Sequence, residues 1–317
     1  MRIASVVIVF LILVLSGAVF AIEDSVQGSW EDYYSQARSK AYSGETEEAF
    51  KDIEKAISLN PNYAPLYVCR GGIYLKKGEL EKSLNDSNKA ISLDSKLANA
   101  YKNRAVAYIE QKNYDLAKKD ILAFSSLSDE SNYLRALYKH SRGEYLEAVK
   151  EANIVLANNP KEQRSALIML SSYIELKNYI KVLESAKEME KKNPSIKENP
   201  SFLYYKTISY GALGMPEKAL KCVNKLVALD SQNPHYYELR AVLYFGILNK
   251  KASHKDFETA RGIYQKEGNQ EGYVRLAELE NELIKQAKKQ AVSNSALYAS
   301  NILSIVSGIL AIIAISI

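Results

Sequence analysis

Apolar residues recur with the spacing of amphipathic helices through most of this chain, and charged residues fill the positions between them. From residue 30 to residue 262, apolar positions fall three or four residues apart, which places them on one face of a helix. Short stretches rich in glycine, asparagine or proline separate these segments. The pattern changes at both ends, where residues 3–22 and all residues after Lys289 carry no charge. An all-α chain with apolar termini is predicted.

The helical segments repeat at a fixed period. The sequence KAISLN at residues 55–60 returns as KAISLD at residues 89–94, an offset of 34 residues. Tyr33, Tyr67 and Tyr101 keep the same offset. Two columns of small residues also keep it: Ala37, Gly71 and Ala105 in the first helix of each unit, and Ala49, Ser83 and Ala117 in the second.

A 34-residue period with a small residue in each of two amphipathic helices resembles the tetratricopeptide repeat. The resemblance implies a superhelical solenoid, because one such helix pair cannot bury its apolar face alone. The phase slips by three residues near Ala136, and we count about seven helix pairs over residues 30–262. Residues 263–294 are predicted to form a helix that caps the array and connects it to the tail.

The N-terminal segment has the features of a signal peptide over residues 1–21. Arg2 precedes an apolar run over residues 6–15, and Val19 and Ala21 have the spacing of a cleavage site. An uncleaved anchor is the alternative, since 20 uncharged residues are long enough to span a bilayer. Residues 22–29 are predicted to be a polar linker.

The C-terminal segment 296–317 is predicted to be a transmembrane helix, because its 22 residues are almost entirely apolar. The alternatives are a buried capping helix and a signal for a glycosylphosphatidylinositol anchor near Ser293. The resulting localisation is a membrane protein with one C-terminal span and its repeats on the exported side. Lys285, Lys288 and Lys289 favour the opposite, cytoplasmic orientation. Small residues at every fourth tail position, from Ala296 to Gly308, also suggest self-association through the tail.

Composition and motifs contain no sign of catalysis. The net charge is +5, from 42 lysines and arginines against 37 acidic residues, and 47% hydrophobic residues exclude a mostly disordered chain. The three histidines lie in different units, and no catalytic or nucleotide-binding motif is present. We therefore predict no enzyme activity, no cofactor, no metal site and no nucleic-acid partner. Cys69 and Cys222 are expected to be free buried thiols, with an intermolecular disulfide as the alternative.

The resemblance also implies a peptide groove on the concave face, lined by the first helix of each pair. The partner is expected to be a protein or peptide with an apolar or amphipathic segment. The lysine and asparagine pattern by which chaperone-binding relatives hold a terminal carboxylate is missing. Packing of the same side chains within the array is the alternative. The candidate groove residues are Tyr34, Arg38, Val68, Lys102, Val106, Tyr133, Leu137, Leu167, Tyr204, Ile208 and Glu238.

These features together predict a non-enzymatic, membrane-tethered scaffold that binds other proteins through its groove. Two alternatives stay open. One is an assembly or secretion factor, or a co-chaperone, that binds client segments transiently. The other is a subunit of an enzyme complex.

Overall fold

The computed structural model describes residues 28–128 and 131–293, and over these residues the chain is entirely helical. It contains fifteen α-helices and no strand within those two ranges. The first fourteen helices form seven antiparallel pairs, and we call the first helix of a pair the A helix and the second the B helix. The predicted all-α repeat fold is confirmed for this part of the chain.

The chain divides into two compact units, Met1–Leu134 and Arg135–Ile317. The first contains three complete pairs: α1 (Trp30–Ser43) with α2 (Thr46–Leu59), α3 (Ala64–Lys76) with α4 (Leu80–Leu93), and α5 (Ala98–Glu110) with α6 (Tyr114–Leu127).

The division falls inside α7 (Ser131–Ser141), and the second unit contains the other helices. A 3-10 helix, Pro194–Glu198, precedes the sixth pair. The helices are α8 (Tyr145–Asn158), α9 (Gln163–Glu175), α10 (Tyr179–Lys192), α11 (Pro200–Ala212), α12 (Pro216–Leu229), α13 (Pro234–Gly246), α14 (Lys250–Lys266) and α15 (Gln270–Ser293).

Small residues lie where the two helices of a pair approach each other. Ala37 and Ala49 in the first pair, and Ala105 and Ala117 in the third, are completely buried. A side chain no larger than a methyl group lets two helix axes approach to roughly 8–10 Å. Larger apolar side chains fill the space beside them, as Ile53 does between α1 and α3. The predicted packing role of these alanines is confirmed.

The turn from the A helix to the B helix has the same backbone conformation in all seven pairs. One residue adopts a left-handed conformation, and the next amide hydrogen-bonds to a carbonyl five residues back, as Glu79 N does with Tyr74 O at 2.9 Å. This geometry ends a helix sharply and normally uses glycine. The left-handed residues are Gly44, Gly78, Lys112, Gly143, Lys177, Gly214 and Leu248.

Arginines on A helices connect consecutive pairs within each unit. Arg70 donates from Nε and Nη2 to the Asp86 carboxylate of its own B helix, at 2.8 Å each, and from Nη1 to Glu54 of the preceding B helix. A planar guanidinium suits such two-point contacts. Two more arginines repeat this arrangement: Arg104 with Asp120 and Asn88, and Arg240 with Asp256 and Asn224.

The membrane localisation predicted from the sequence is corrected by the structure. Within residues 28–128 and 131–293, no helix combines the length and the apolar character needed to cross a membrane. The predicted signal peptide, 1–21, and the predicted span, 296–317, lie outside the described residues.

Candidate functional site

The candidate groove residues all lie on A helices, but the structure places them in two separate units. Tyr34, Arg38, Val68, Lys102, Val106 and Tyr133 belong to the first unit, and Leu137, Leu167, Tyr204, Ile208 and Glu238 to the second. Arg38 is exposed, and eight of the other ten are half-buried. These nine side chains are therefore partly accessible from the A-helix face.

Ile208 and Glu238 differ from this expectation, because both are fully buried. The Glu238 carboxylate accepts two hydrogen bonds from Arg275 of α15, at 2.7 and 2.6 Å. Burial alone would raise the pKa of Glu238, but the Arg275 hydrogen bonds outweigh it and the pKa lies below its usual range. Glu238 therefore connects α13 to α15 through Arg275. Because Ile208 and Glu238 are both fully buried, neither is part of an accessible groove.

In the first unit, two of the partly accessible candidates are cationic, Arg38 and Lys102. The Arg38 guanidinium lies 5.5 Å from the centre of the Tyr34 ring. Burial raises the pKa of the neighbouring Cys69 thiol to about 11, which keeps the thiol protonated and unreactive at neutral pH. The Asn103 amide donates to Val68 O at 2.9 Å and connects α5 to α3.

In the second unit, four A helices surround a cleft of about 410 Å³. Tyr204 is the candidate groove residue that lines this cleft. Side chains from α7, α9, α11 and α13, and from the residue before α13, complete its walls. The lining residues are His140, Ser171, Ile174, Glu175, Pro200, Ser201, Tyr204, Tyr205, Asn233, His235 and Tyr236.

Aromatic rings and one carboxylate dominate this cleft. The Tyr204 and Tyr205 rings pack edge to face, with their centres 5.9 Å apart. Burial raises the pKa of Tyr204 well above its usual range, and Tyr205 and Glu238 add to the rise. Burial also raises the pKa of Tyr205, with a further contribution from the negative charge of Glu175. Both phenols therefore stay protonated and neutral at neutral pH.

His140 and Ser172 form a hydrogen-bonded pair beside the cleft, but the pair lacks the arrangement of a catalytic nucleophile. The Ser172 hydroxyl donates to Ile168 O at 2.7 Å, so the hydrogen bond of 2.9 Å to His140 requires Nδ1 of the histidine to be the donor. Ser172 is also fully buried. A nucleophilic serine needs a histidine that accepts its proton. Burial lowers the pKa of His140, which is neutral at pH 7.

The described residues contain no group of three or more histidine, cysteine or acidic side chains suited to a metal ion. Cys69 is half-buried and Cys222 buried, and both are free thiols.

Sequence analysis missed most residues of the cleft. It selected Tyr204 by its place in the repeat and left out Tyr205, although the two are adjacent. Glu175 gave only a weak periodic signal, because the position one period earlier is Ser141 and the next glutamate at this place in the repeat is Glu110. The useful signal would have been the concentration of tyrosine and histidine on the A helices from α9 to α13.

Two stretches of the chain match family models of a known repeat. Residues 33–63 match a model described as tetratricopeptide repeat, and residues 71–112 match one described as TPR repeat. No curated protein matches the sequence of this chain.

Solved structures share the fold at low sequence identity. A tetratricopeptide repeat protein from Parabacteroides merdae superposes with a TM-score of 0.53 at 20% identity, over 78% of this chain and 98% of that one. A structure described as the APC/C hetero-tetramer Cut9-Hcn1 superposes with a TM-score of 0.60 at 15% identity, over 76% of this chain and 48% of that one. At these identities the likeness concerns the fold alone.

Proposed function

Because the chain is a tetratricopeptide repeat protein, we propose that it is a non-enzymatic interaction protein that binds a peptide segment of a partner. The binding site in this proposal is the cleft of the second unit. The fold itself supports a role in protein–protein interaction, since stacked helix pairs present extended surfaces to other chains.

The observation that carries the proposal is the position of the cleft on the A-helix face. Tyr204, Tyr205 and Tyr236 project into it from two A helices, α11 and α13. Tyrosine is enriched among residues that dominate binding energy, because its ring buries a large area and its hydroxyl group still finds a polar partner. A cleft about 410 Å³ in volume accommodates one or two side chains of an extended or helical segment.

The partner segment is proposed to be amphipathic. Ile174, Pro200 and the tyrosine rings offer apolar contacts, while Ser201, Asn233 and Glu175 offer polar ones. A segment with both kinds of side chain satisfies the two sets of groups together.

The proposal is tested by selecting a random-peptide library on the full chain and measuring the affinity of the selected peptides by fluorescence anisotropy. Tyr204→Ala is expected to weaken binding about tenfold or more, because it removes a central aromatic contact. The matched control is Ile180→Ala, which truncates a side chain 59% exposed on the B helix α10. The control should bind like wild type.

Two results would contradict the proposal: selection of no peptide, or equal affinity of the Tyr204→Ala variant for the selected peptides. Ser201→Arg provides a second variant, since Ser201 is exposed and lines the cleft. Its long side chain fills the cleft without removing any buried contact, so a loss of binding there does not depend on the stability of Tyr204→Ala.

A further inference from the structure

Among the partly or fully buried acidic residues that the structure describes in the second unit, Glu175 differs in having no lysine or arginine within 4.0 Å. It is half-buried, and its one hydrogen bond among the described residues comes from the Tyr145 hydroxyl at a long 3.5 Å. Other partly or fully buried carboxylates of this unit have an arginine or lysine within 4.0 Å: Glu151 with Arg135, Glu190 with Lys206, Glu238 with Arg275, Asp256 with Arg240, and Glu280 with Arg261.

The charge of Glu175 acts on the tyrosines around it. Burial raises the pKa of Tyr145 and Tyr179, and the negative charge of Glu175 raises both further. The pKa of Tyr205 is affected in the same direction. The Glu175 carboxylate therefore lies close enough to three phenols to disfavour their ionisation.

Two histidines line this cleft, His140 and His235, and His235 Nδ1 lies 3.7 Å from the Glu238 carboxylate. Among the described residues that line the cleft, none is lysine or arginine. His140 does not offset the charge of Glu175, since it is neutral at pH 7. Tyr204, Tyr205 and Tyr236 line the same space, and the face of a tyrosine ring attracts a cation electrostatically.

We propose that the cleft binds a lysine or arginine side chain of the partner peptide, with the cation between the Glu175 carboxylate and the faces of the tyrosines. The inference rests on the proposed function and specifies the chemistry of the segment that the site recognises. Charge complementarity selects this occupant over an acidic or purely apolar one. A site for a terminal carboxylate would require cations on the protein, whereas this cleft offers a carboxylate.

The test uses pools of random peptides that differ at one central position, occupied by lysine, arginine, norleucine, citrulline or glutamate. Norleucine and citrulline keep the length of lysine and arginine but lack the charge. We expect the lysine and arginine pools to bind the full chain about tenfold more tightly than their neutral counterparts. The glutamate pool should bind least.

A charge-reversal variant tests the role of Glu175 itself. Glu175→Lys is expected to remove the preference for basic peptides and to make the glutamate pool the tightest. The matched control is Glu217→Lys, which changes the net charge equally at an exposed position on the B helix α12 and should keep the wild-type preference. Thermal unfolding midpoints equal to that of the wild type establish that both variants are folded.

The outcomes separate the inference from the proposed function. If all pools bind with equal affinity, the cation site is overturned. If Ser201→Arg also abolishes that binding, the proposal that the cleft binds peptides is retained. An unchanged preference in Glu175→Lys also overturns the cation site. Binding of no pool overturns both proposals.

Discussion

The helical glycines Gly71 and Gly272 both lie close to a neighbouring helix, but only Gly71 has room for an added methyl group. A methyl group on Gly71 would meet Asp86 Cβ at 3.5 Å, an ordinary contact. The equivalent positions one period away, Ala37 and Ala105, already hold that methyl group. A methyl group on Gly272 of α15 would lie 2.8 Å from the Tyr264 ring of α14, which is too close for two carbon atoms.

The two glycine-to-alanine substitutions should therefore change stability in opposite directions. Gly71→Ala is expected to raise the free energy of unfolding by up to about 1 kcal/mol, because alanine favours a helix over glycine by that amount. Gly272→Ala is expected to lower it by about 1–3 kcal/mol through overpacking. Thermal and urea denaturation of the two variants measure both effects. A stabilised Gly272→Ala, or a strongly destabilised Gly71→Ala, would contradict the packing described for these positions.

Sequence alone predicted the packing residues well but selected only Tyr204 among the residues that line the cleft, for a physical reason. Ala49 and Ala117 recur because every pair must bring its helices together at the same point. The position of Glu175 has no such constraint: one period earlier it is Ser141, and among the A helices only the end of α5 holds another glutamate there, Glu110. Periodicity therefore finds the core and misses the residues that differ from repeat to repeat.

The turns and the arginine contacts between pairs connect helices throughout each unit. Gly44 and Gly78 lie between helices in a left-handed conformation, and Lys112, Lys177 and Leu248 adopt the same conformation in other pairs. Arginine and aspartate 16 residues apart were present in three pairs. Their contact could not be predicted from spacing, because it depends on how an A helix lies against two B helices.

The contact between α13 and α15 explains why one groove candidate was misplaced. Projection of the repeat assigned Glu238 to the open A-helix face, but α15 contributes Arg275 and buries the carboxylate. The equivalent positions of the two preceding pairs are Leu167 and Tyr204, which offer no carboxylate for such a contact. The irregular last helix therefore determines this position, and no periodic pattern contains that information.

Removal of Arg275 should destabilise the second unit in a pH-dependent way. Arg275→Leu removes both hydrogen bonds that the buried Glu238 carboxylate accepts from Arg275 and leaves His235 Nδ1, 3.7 Å away, beside the charge, so we expect a loss of about 3 kcal/mol at neutral pH. The folded-state pKa of Glu238 lies below its unfolded value, so its stabilisation is present above the unfolded pKa of about 4.3 and is lost as pH falls through the folded pKa. The difference between wild type and variant should therefore shrink with acidification.

Urea denaturation of both proteins across this pH range measures the difference. Lys285→Leu serves as the control, because that lysine side chain is 82% exposed on the same helix, and it should change stability by no more than about 0.5 kcal/mol. A difference that grows as the pH falls would refute the role given to Glu238.

At the scale of the whole molecule, the A helices of the two units differ in individual charged residues. The first unit carries Arg38 on its A-helix face, and the second carries Glu175 in a cleft lined with tyrosines. The repeat accounts for the helix pairs of both units, whereas these single charged residues distinguish their surfaces. The chemistry of a repeat protein's partner is therefore determined by side chains that the repeat leaves variable.

Hydrogen–deuterium exchange of the full chain, with and without a selected lysine-containing peptide, tests the central claim most directly, because it locates the bound segment on the protein. We predict slower exchange in the parts of α9, α11 and α13 that surround Glu175, Tyr204 and Tyr236, and no such change in the Ser201→Arg variant. Protection confined to the B helices α8, α10 and α12, or protection unchanged by Ser201→Arg, would contradict the account.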